Sequence, residues 1–289
     1  MFSISSLRVS IYAFVTLAQK FTCSLKNNNT KEIHAKVVAD LAKLSILASP
    51  TEFHYMLQDL QKKKTLLRCY SQNIDGLESK VGFNIDATLD LSNQCIPLHG
   101  SLHYLCCTVC ASTHLLQNYH TILASGHFPS CPLCQQKQDQ RSVASHRPRQ
   151  IGQLRPDIVL YGEDHPQGEA IAAAHEHDLT LDLLLVVGTS LKVPGTAKLV
   201  KELSKQLHNN GLGHSFYINE TAPAKDWLNI FDIFLEGDCQ AFAKMLRNSM
   251  GTLSSPVPNP DEKENNCSAA AYLQGLEARQ DFRPSWRWI

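Results

Sequence analysis

The chain has no surplus of charge of either sign. Lys and Arg number 27, Asp and Glu also 27, so the formal net charge is zero over 289 residues. That balance supplies no polycationic footprint, and aromatics are not interleaved with basic residues, which argues against a zinc-ribbon nucleic-acid binder. No direct nucleic-acid binding is expected. No apolar run reaches the roughly 20 residues that span a bilayer, and no membrane partner is expected. No convincing basic localisation cluster stands out. Glycine is absent before Gly76, so no glycine-rich phosphate loop can form upstream of it. Residues 9–18 are mostly apolar behind Arg8 and have the length of a signal-peptide h-region. The charge ahead of them is weak, and no small-x-small cleavage site precedes Gln19-Lys20. A buried helix is the better reading, and residues 1–25 are predicted to form one helix.

Cysteine is what the chain does have: ten, of which four fall as Cys107-x-x-Cys110 and Cys131-x-x-Cys134. Two such pairs at this separation are a strong zinc signal, because each tight turn delivers two sulfurs to one tetrahedral ion. Cys106 adjoins Cys107, so the ligand could slip by one; Cys107 keeps the regular gap to Cys110 and is chosen. Four thiolates close the site, so Zn²⁺ there is structural, and the remaining cysteines fit a reduced compartment. Just upstream, Leu98-His99-Gly100 presents His99 as a candidate base.

Between these landmarks the pattern alternates. Helices are predicted over 31–47, with Asn27 to Thr30 as turn and cap, and from Thr51 onward with Phe53, Leu57 and Leu60 inward. Lys62-Lys63-Lys64 reads as a solvated helix end. A short buried strand follows at 66–70 and runs into Ser71-Gln72-Asn73-Ile74-Asp75-Gly76. Residues 100–150 have their own composition and read as a small zinc module that needs its metal to fold. Within it, 135–149 reads as a mobile, solvated loop. The main sheet is expected to resume at 154–160. Then come a helix over 168–177, a buried strand over 181–187, a helix from about 196 to 207, strands at 214–218 and 230–235, and a helix over 241–248. From 251 the Ser, Pro and charged residues suggest a disordered tail. Strand and helix alternation implies a parallel α/β sheet. Gln72 to Asp75, Gly188-Thr189-Ser190, Asn219-Glu220 and Asp238-Cys239 would then share its carboxyl rim, where open sheets bind nucleotides.

Five stretches carry a resemblance. Ser-Gln-Asn-Ile-Asp-Gly-Leu-Glu (71–78), Pro-Leu-His-Gly-Ser-Leu (97–102), the two Cys pairs, Leu-Arg-Pro-Asp-Ile-Val-Leu-Tyr-Gly-Glu (154–163) and Val-Gly-Thr-Ser-Leu-Lys-Val (187–193) resemble the sirtuins, over about residues 50–245 and in order. The form of the motifs is most similar to the fungal nuclear histone deacetylase branch. The resemblance implies an NAD-dependent protein-lysine deacetylase, with histone as the acetyl-lysine partner and the nucleus as location. It implies a Rossmann-like domain over 1–99 and 151–249, the zinc module at 100–150 and a tail at 250–289. It also implies roles. Gln72, Asn73, Ile74 and Asp75 border the ribose and nicotinamide of NAD, with Asp75 and the Ile74 backbone on the carboxamide. Gly188, Thr189 and Ser190 pack against ribose and phosphates; Asn219 and Glu220 lie at the adenosine ribose end, and the Cys239 backbone meets adenine. His99 is the base that activates a ribose hydroxyl after the acetyl oxygen has displaced nicotinamide. Val159, Tyr161, Gly162, Glu163, Leu191 and Val193 flank the acyl-lysine peptide as an added strand.

The family pattern also opens with a strand and a Gly-Ala-Gly-x-Ser turn that cradles pyrophosphate, then Gly-Ile-Pro-Asp-Phe-Arg, and neither is present. The expectation is a chain shortened at its amino end, without first strand or cradle, weak in NAD binding and inactive or poorly folded. The competing expectation is a non-catalytic zinc-containing interaction module derived from a sirtuin.

Overall fold

The computed structural model describes residues 9–13, 28–85, 92, 94–160, 162–211 and 213–252. They belong to two compact units. The first draws on Met1–Phe14, Pro50–Tyr70 and Ala172–Ile289, the second on Val15–Ser49 and Ser71–Ile171. This division differs from the expected one at 99 and 151, because 71–99 and 151–171 belong with the cysteines. The elements run β1 (Val9–Ala13), α1 (Asn28–Leu47), α2 (Glu52–Lys62), β2 (Leu66–Ser71), β3 (Cys95–Pro97), β4 (Gly100–Cys107), β5 (Thr113–Leu115), α3 (His120–Ala124), α4 (Pro132–Val143), β6 (Leu154–Ile158), α5 (Gly168–His177), β7 (Leu183–Val187), α6 (Pro194–Asn210), β8 (His214–Asn219), β9 (Ile233–Glu236) and α7 (Cys239–Thr252).

In the first unit the strands lie in the order β2-β1-β7-β8-β9. β1, β7, β8 and β9 are parallel. β7 is the run Leu-Leu-Leu-Val-Val, with Leu184, Leu185, Val186 and Val187 all at most 3% exposed, as a strand covered on both faces requires. α6 begins with Pro194 at its first turn and stops at Gly211, which takes φ +72°. It turns Val200, Leu203 and Leu207 inward at helical spacing.

β1 corrects the reading of 1–25 as one helix. Residues 9–13 form a strand in register with β7, from Val9 opposite Leu183 to Ala13 opposite Val187. A strand therefore stands between β2 and β7, where a missing first strand had been expected. A short apolar run has no decisive period of its own; Val9, Ile11 and Tyr12 are strand formers, and the pairing with β7 settles the matter.

β2 carries a charge into this interior. Arg68 and Asp178 are 2% and 0% exposed. Arg68 donates through Nε and one terminal nitrogen to the two Asp178 oxygens at 2.6 and 3.1 Å, and the Tyr70 hydroxyl donates at 2.7 Å. Burial, then Asp178 itself, pushes the Tyr70 hydroxyl pKa up. Such a pair adds little against apolar packing, but breaking it strands a buried cation. Asp178→Ala is expected to cost about 3–5 kcal/mol in urea unfolding; a loss below about 1 kcal/mol would mean that water replaces the carboxylate.

The second unit is built on a three-stranded antiparallel sheet in the order β5-β4-β6. β6 therefore does not resume the parallel sheet, as had been expected of 154–160. Arg155 and Asp157 alternate with buried Leu154 and Pro156, which suits a strand with one wet face. α1 lays Ala35, Val38, Ala39 and Ala42 against Leu102, Leu105, Leu116, Leu123 and Leu154, with three of the metal-site cysteines in the same cluster. The stretch read as a mobile loop from 135 holds α4. Pro132 opens it, and Gln135 to Asp139 and Gln138 to Ser142 hydrogen bonds brace its polar faces one turn apart. The tail expected to be disordered from 251 lies outside the described residues after Thr252; α7 carries Gly251 and Thr252.

Candidate active site

In the second unit, the chain leaves β2 through Ser71 and enters a tight polar loop. Gln72 is buried, and Asn73, Ile74 and Asp75 are half-buried. The Leu77 N–H donates to Asp75 Oδ1 at 3.2 Å, an Asx turn. Gly76 follows at φ +64°, and a Cβ there would stand 2.8–2.9 Å from Ile85 and the His103 ring. Only glycine meets both demands. The Ile74 carbonyl accepts from Leu102 N–H at 2.8 Å, so β4 holds the loop from beside it.

His99 sits in the turn between β3 and β4. Leu98 N–H donates to Ser71 O at 2.7 Å and Val159 N–H to His99 O at 3.0 Å, so the turn is clamped at both ends. Gly100 is at φ +75°, and any Cβ would overlap the Asp157 carbonyl. His99 Nδ1 lies 3.0 Å from Leu98 O. A carbonyl only accepts, so the neutral ring carries its proton on Nδ1 and leaves Nε2 as the lone-pair nitrogen. Burial lowers the His99 pKa below 6.5, with the Leu98 carbonyl opposing. His103, which sequence reasoning passed over, is likewise lowered by burial and is bonded to the Asp75 backbone.

Val159 and Leu160 are half-buried, Gly162 and Glu163 exposed; Tyr161 lies outside the described residues. Glu163 is spoken for. It takes a two-pronged pair from Arg155 at 3.0 and 2.8 Å and accepts Leu160 N–H, while its own N–H returns to Leu160 O. Its first task is to close the loop, and Arg155, which its spacing did not single out, makes that possible.

The four thiols gather as expected. Cys107 and Cys134 sulfurs are 3.7 Å apart, as are Cys110 and Cys131, and all four lie within 4.8 Å of one another. A tetrahedron of Zn–S bonds of about 2.3 Å sets sulfurs about 3.8 Å apart, so the set fits Zn²⁺. Cys106 is outside it, its thiol turned toward the Cys107 carbonyl, which resolves the one-residue slip. Val109 and Cys110 N–H groups donate to Cys107 Sγ, and Ser112 Oγ meets Cys110 Sγ at 3.1 Å.

In the first unit, β7, β8 and β9 end on one edge. Gly188 is at φ +66°, its N–H bonded to Ile218 O at 2.9 Å. Thr189 is buried; its Oγ1 accepts Leu191 N–H and its carbonyl accepts the Tyr217 hydroxyl at 2.6 Å. Ser190 and Glu220 are exposed, and Asn219 reaches Thr221 through Nδ2. Leu191 is buried at φ +53°, and Val193 caps α6. Cys239 is half-buried near the β8 end, its thiol pushed up to about 11 by burial and by Asp238 and Glu220. The small, hydrogen-bonded Gly188 turn and the open Ser190 edge fit the ribose and phosphate of a dinucleotide.

A model of the Sir2 family matches residues 13–195. An NAD-dependent histone deacetylase of Candida albicans is 41% identical over 243 residues, 78% of this chain and 50% of its own length. Another from Saccharomyces cerevisiae is 36% identical over 255 residues, 80% of this chain and 56% of its own. The chain thus spans about half the length of these relatives. Among solved structures, Sir2Tm bound to a propionylated peptide superposes with a TM-score of 0.60 at 21% identity, covering 85% of this chain and 94% of that one. A Sir2 complex with a p53 peptide and NAD+ gives 0.58 at 21%, over 86% and 94%. At that identity the likeness is one of fold. The family match extends over more than half the sequence, and the chain belongs to the Sir2 family.

Proposed function

We propose that the chain is an NAD-dependent protein-lysine deacetylase, with acetylated histone as its protein substrate and the nucleus as its site of action. The relatives named as NAD-dependent histone deacetylases support the substrate and the location. The single observation that carries the chemistry is His99, held in a turn clamped at both ends with Nδ1 3.0 Å from the Leu98 carbonyl, an arrangement that leaves Nε2 to act as the base. When bound, NAD would supply a ribose carbon as electrophile, with nicotinamide as the leaving group. Asp75 and the Ile74 backbone orient the carboxamide, and Gln72 and Asn73 border the ribose. Gly188, Thr189, Ser190, Asn219, Glu220 and Cys239 take the rest of the dinucleotide. Val159, Tyr161, Gly162 and Glu163, with Leu191 and Val193, receive the peptide backbone. Zn²⁺ on Cys107, Cys110, Cys131 and Cys134 keeps the second unit folded and takes no part in the reaction.

Calorimetry with NAD on zinc-loaded protein, followed by nicotinamide release from an acetyl-lysine peptide, tests this reading. Binding at micromolar to sub-millimolar levels with release supports it. A folded protein that binds no NAD overturns it in favour of the non-catalytic interaction module. A second outcome concerns pH. A depressed His99 loses its base as pH falls through a value below 6.5, so kcat/KM should stay level down to that point and then drop. An acid limb centred above 6.5 would contradict the buried, neutral ring.

A further inference from the structure

Glu78 is 3% exposed, a buried carboxyl group just after the 72–75 loop. It stands in the first turn of the short 3₁₀ helix Leu77–Val81, whose cap is Gly76. Its carboxyl meets the Ser71 hydroxyl and its own backbone N–H, and the Asp75 charge acting on it is of the same sign. Lys80, two residues on, is turned away and bonds the carbonyls of Ser45, Ile46 and Ala48. An acid buried without a cation is costly and is tolerated where its hydrogen bonds are needed.

Ser71 is what it holds. Ser71 is 1% exposed and sits where two functional segments meet. Its Oγ accepts the Asn73 N–H at 3.2 Å. Its carbonyl accepts the Leu98 N–H at 2.7 Å, one residue before His99. A Ser71 hydroxyl that gives its one proton to Glu78 keeps a lone pair for Asn73. We propose that Glu78 is a positioning residue which, by fixing the Ser71 hydroxyl, sets the Asn73 backbone and the His99 turn in one geometry. Burial, with Asp75 adding to it and Ser71 opposing, raises the Glu78 pKa. The neutral form serves this role, since its carbonyl oxygen still accepts from Ser71.

The effect on turnover rests on the deacetylase reading; the hydrogen-bond chain does not. The test therefore has two arms on full-length, zinc-loaded protein: amide hydrogen exchange at Asn73, and kcat and KM with NAD and an acetyl-lysine peptide. Variants are Glu78→Gln, Glu78→Ala, Ser71→Ala and the Ser71→Ala, Glu78→Ala double. The Ala variants should exchange Asn73 at least ten-fold faster and lose at least ten-fold in kcat with peptide KM within two-fold. The double should be no worse than the poorer single, as expected of one chain of bonds, and Glu78→Gln should keep parental exchange and at least a third of kcat. Ser71→Ala, which removes one oxygen, keeps the test open if Glu78→Ala fails to fold. Unchanged Asn73 exchange in a folded Ser71→Ala variant would overturn the proposal, as would Glu78→Gln failing like Glu78→Ala. If the parent binds no NAD, the deacetylase reading falls and the exchange arm alone decides.

Discussion

His99→Ala should lower the yield of deacetylated peptide by about 10²–10⁴-fold, the usual contribution of a positioned general base. The protein should melt with its parent. The turn that carries His99 is held by main-chain bonds, Leu98 N–H to Ser71 O and Val159 N–H to His99 O, and none of these needs the imidazole. The ring is half-buried and, among the described residues, bonds the neighbouring Leu98 carbonyl, so little packing is lost. Nicotinamide-side binding should persist, because Asp75 and Ile74 are fixed by Leu77 and Leu102 rather than by His99. NAD calorimetry beside a peptide assay separates the two effects. A fall of less than ten-fold would place the base elsewhere, and His103, bonded to the Asp75 backbone, would be the first histidine to test.

Removing the metal should do the opposite: large in stability, and in activity only as a consequence. Structural Zn²⁺ in small thiolate sites binds with about 10–16 kcal/mol apparent free energy, most of which is folding free energy. Here the ligands are inside the core. Cys107, Cys131 and Cys134 are 3%, 0% and 7% exposed and share one cluster with Leu102, Leu105, Leu116, Leu123 and Leu154. Without the ion, four thiolates that must otherwise repel or protonate lie within 4.8 Å of one another in that packing. Chelation, or Cys131→Ser, should abolish the cooperative unfolding of the second unit and leave less than one zinc per chain. Cys106→Ser should retain full zinc and most of the stability, because the half-buried Cys106 thiol lies outside the cluster. Equal loss of zinc in Cys106→Ser and Cys107→Ser would show that the ligand slips. Stability untouched by chelation would show that the cluster packs without the metal.

Much of this was legible because the sequence states it locally. Cys-x-x-Cys spacing is a statement about turns and sulfur reach. The Leu-Leu-Leu-Val-Val run reads as a buried strand, and the helix expected from about 196 to 207 is α6, which Pro194 opens and Gly211 stops. The 168–177 helix was read at its observed bounds. Other features have no local signature. Residues 9–13 read as helix because a five-residue apolar run carries no period; the partner β7 makes them a strand. β6 has the composition of a sheet strand but nothing in it says which sheet, and β4 decides. α4 looked like a loop because its polar residues face water on nearly every side.

The sequence alone pointed to the family, to the four thiols that gather in the fold and to His99 as the candidate base, since each rests on residue identity at fixed short spacing. Tertiary structure decided what those residues are attached to. Arg68 is a charge inside a strand until Asp178, 110 residues away, faces it. Glu163 reads as a peptide contact from its motif alone; the fold adds Arg155, which pairs with both of its oxygens. Ser71 and Glu78 read as ordinary motif members until Asn73 and Leu98 converge on the same serine. Local spacing can specify which atoms are present, but desolvation and hydrogen-bond pairing depend on what the fold brings beside them.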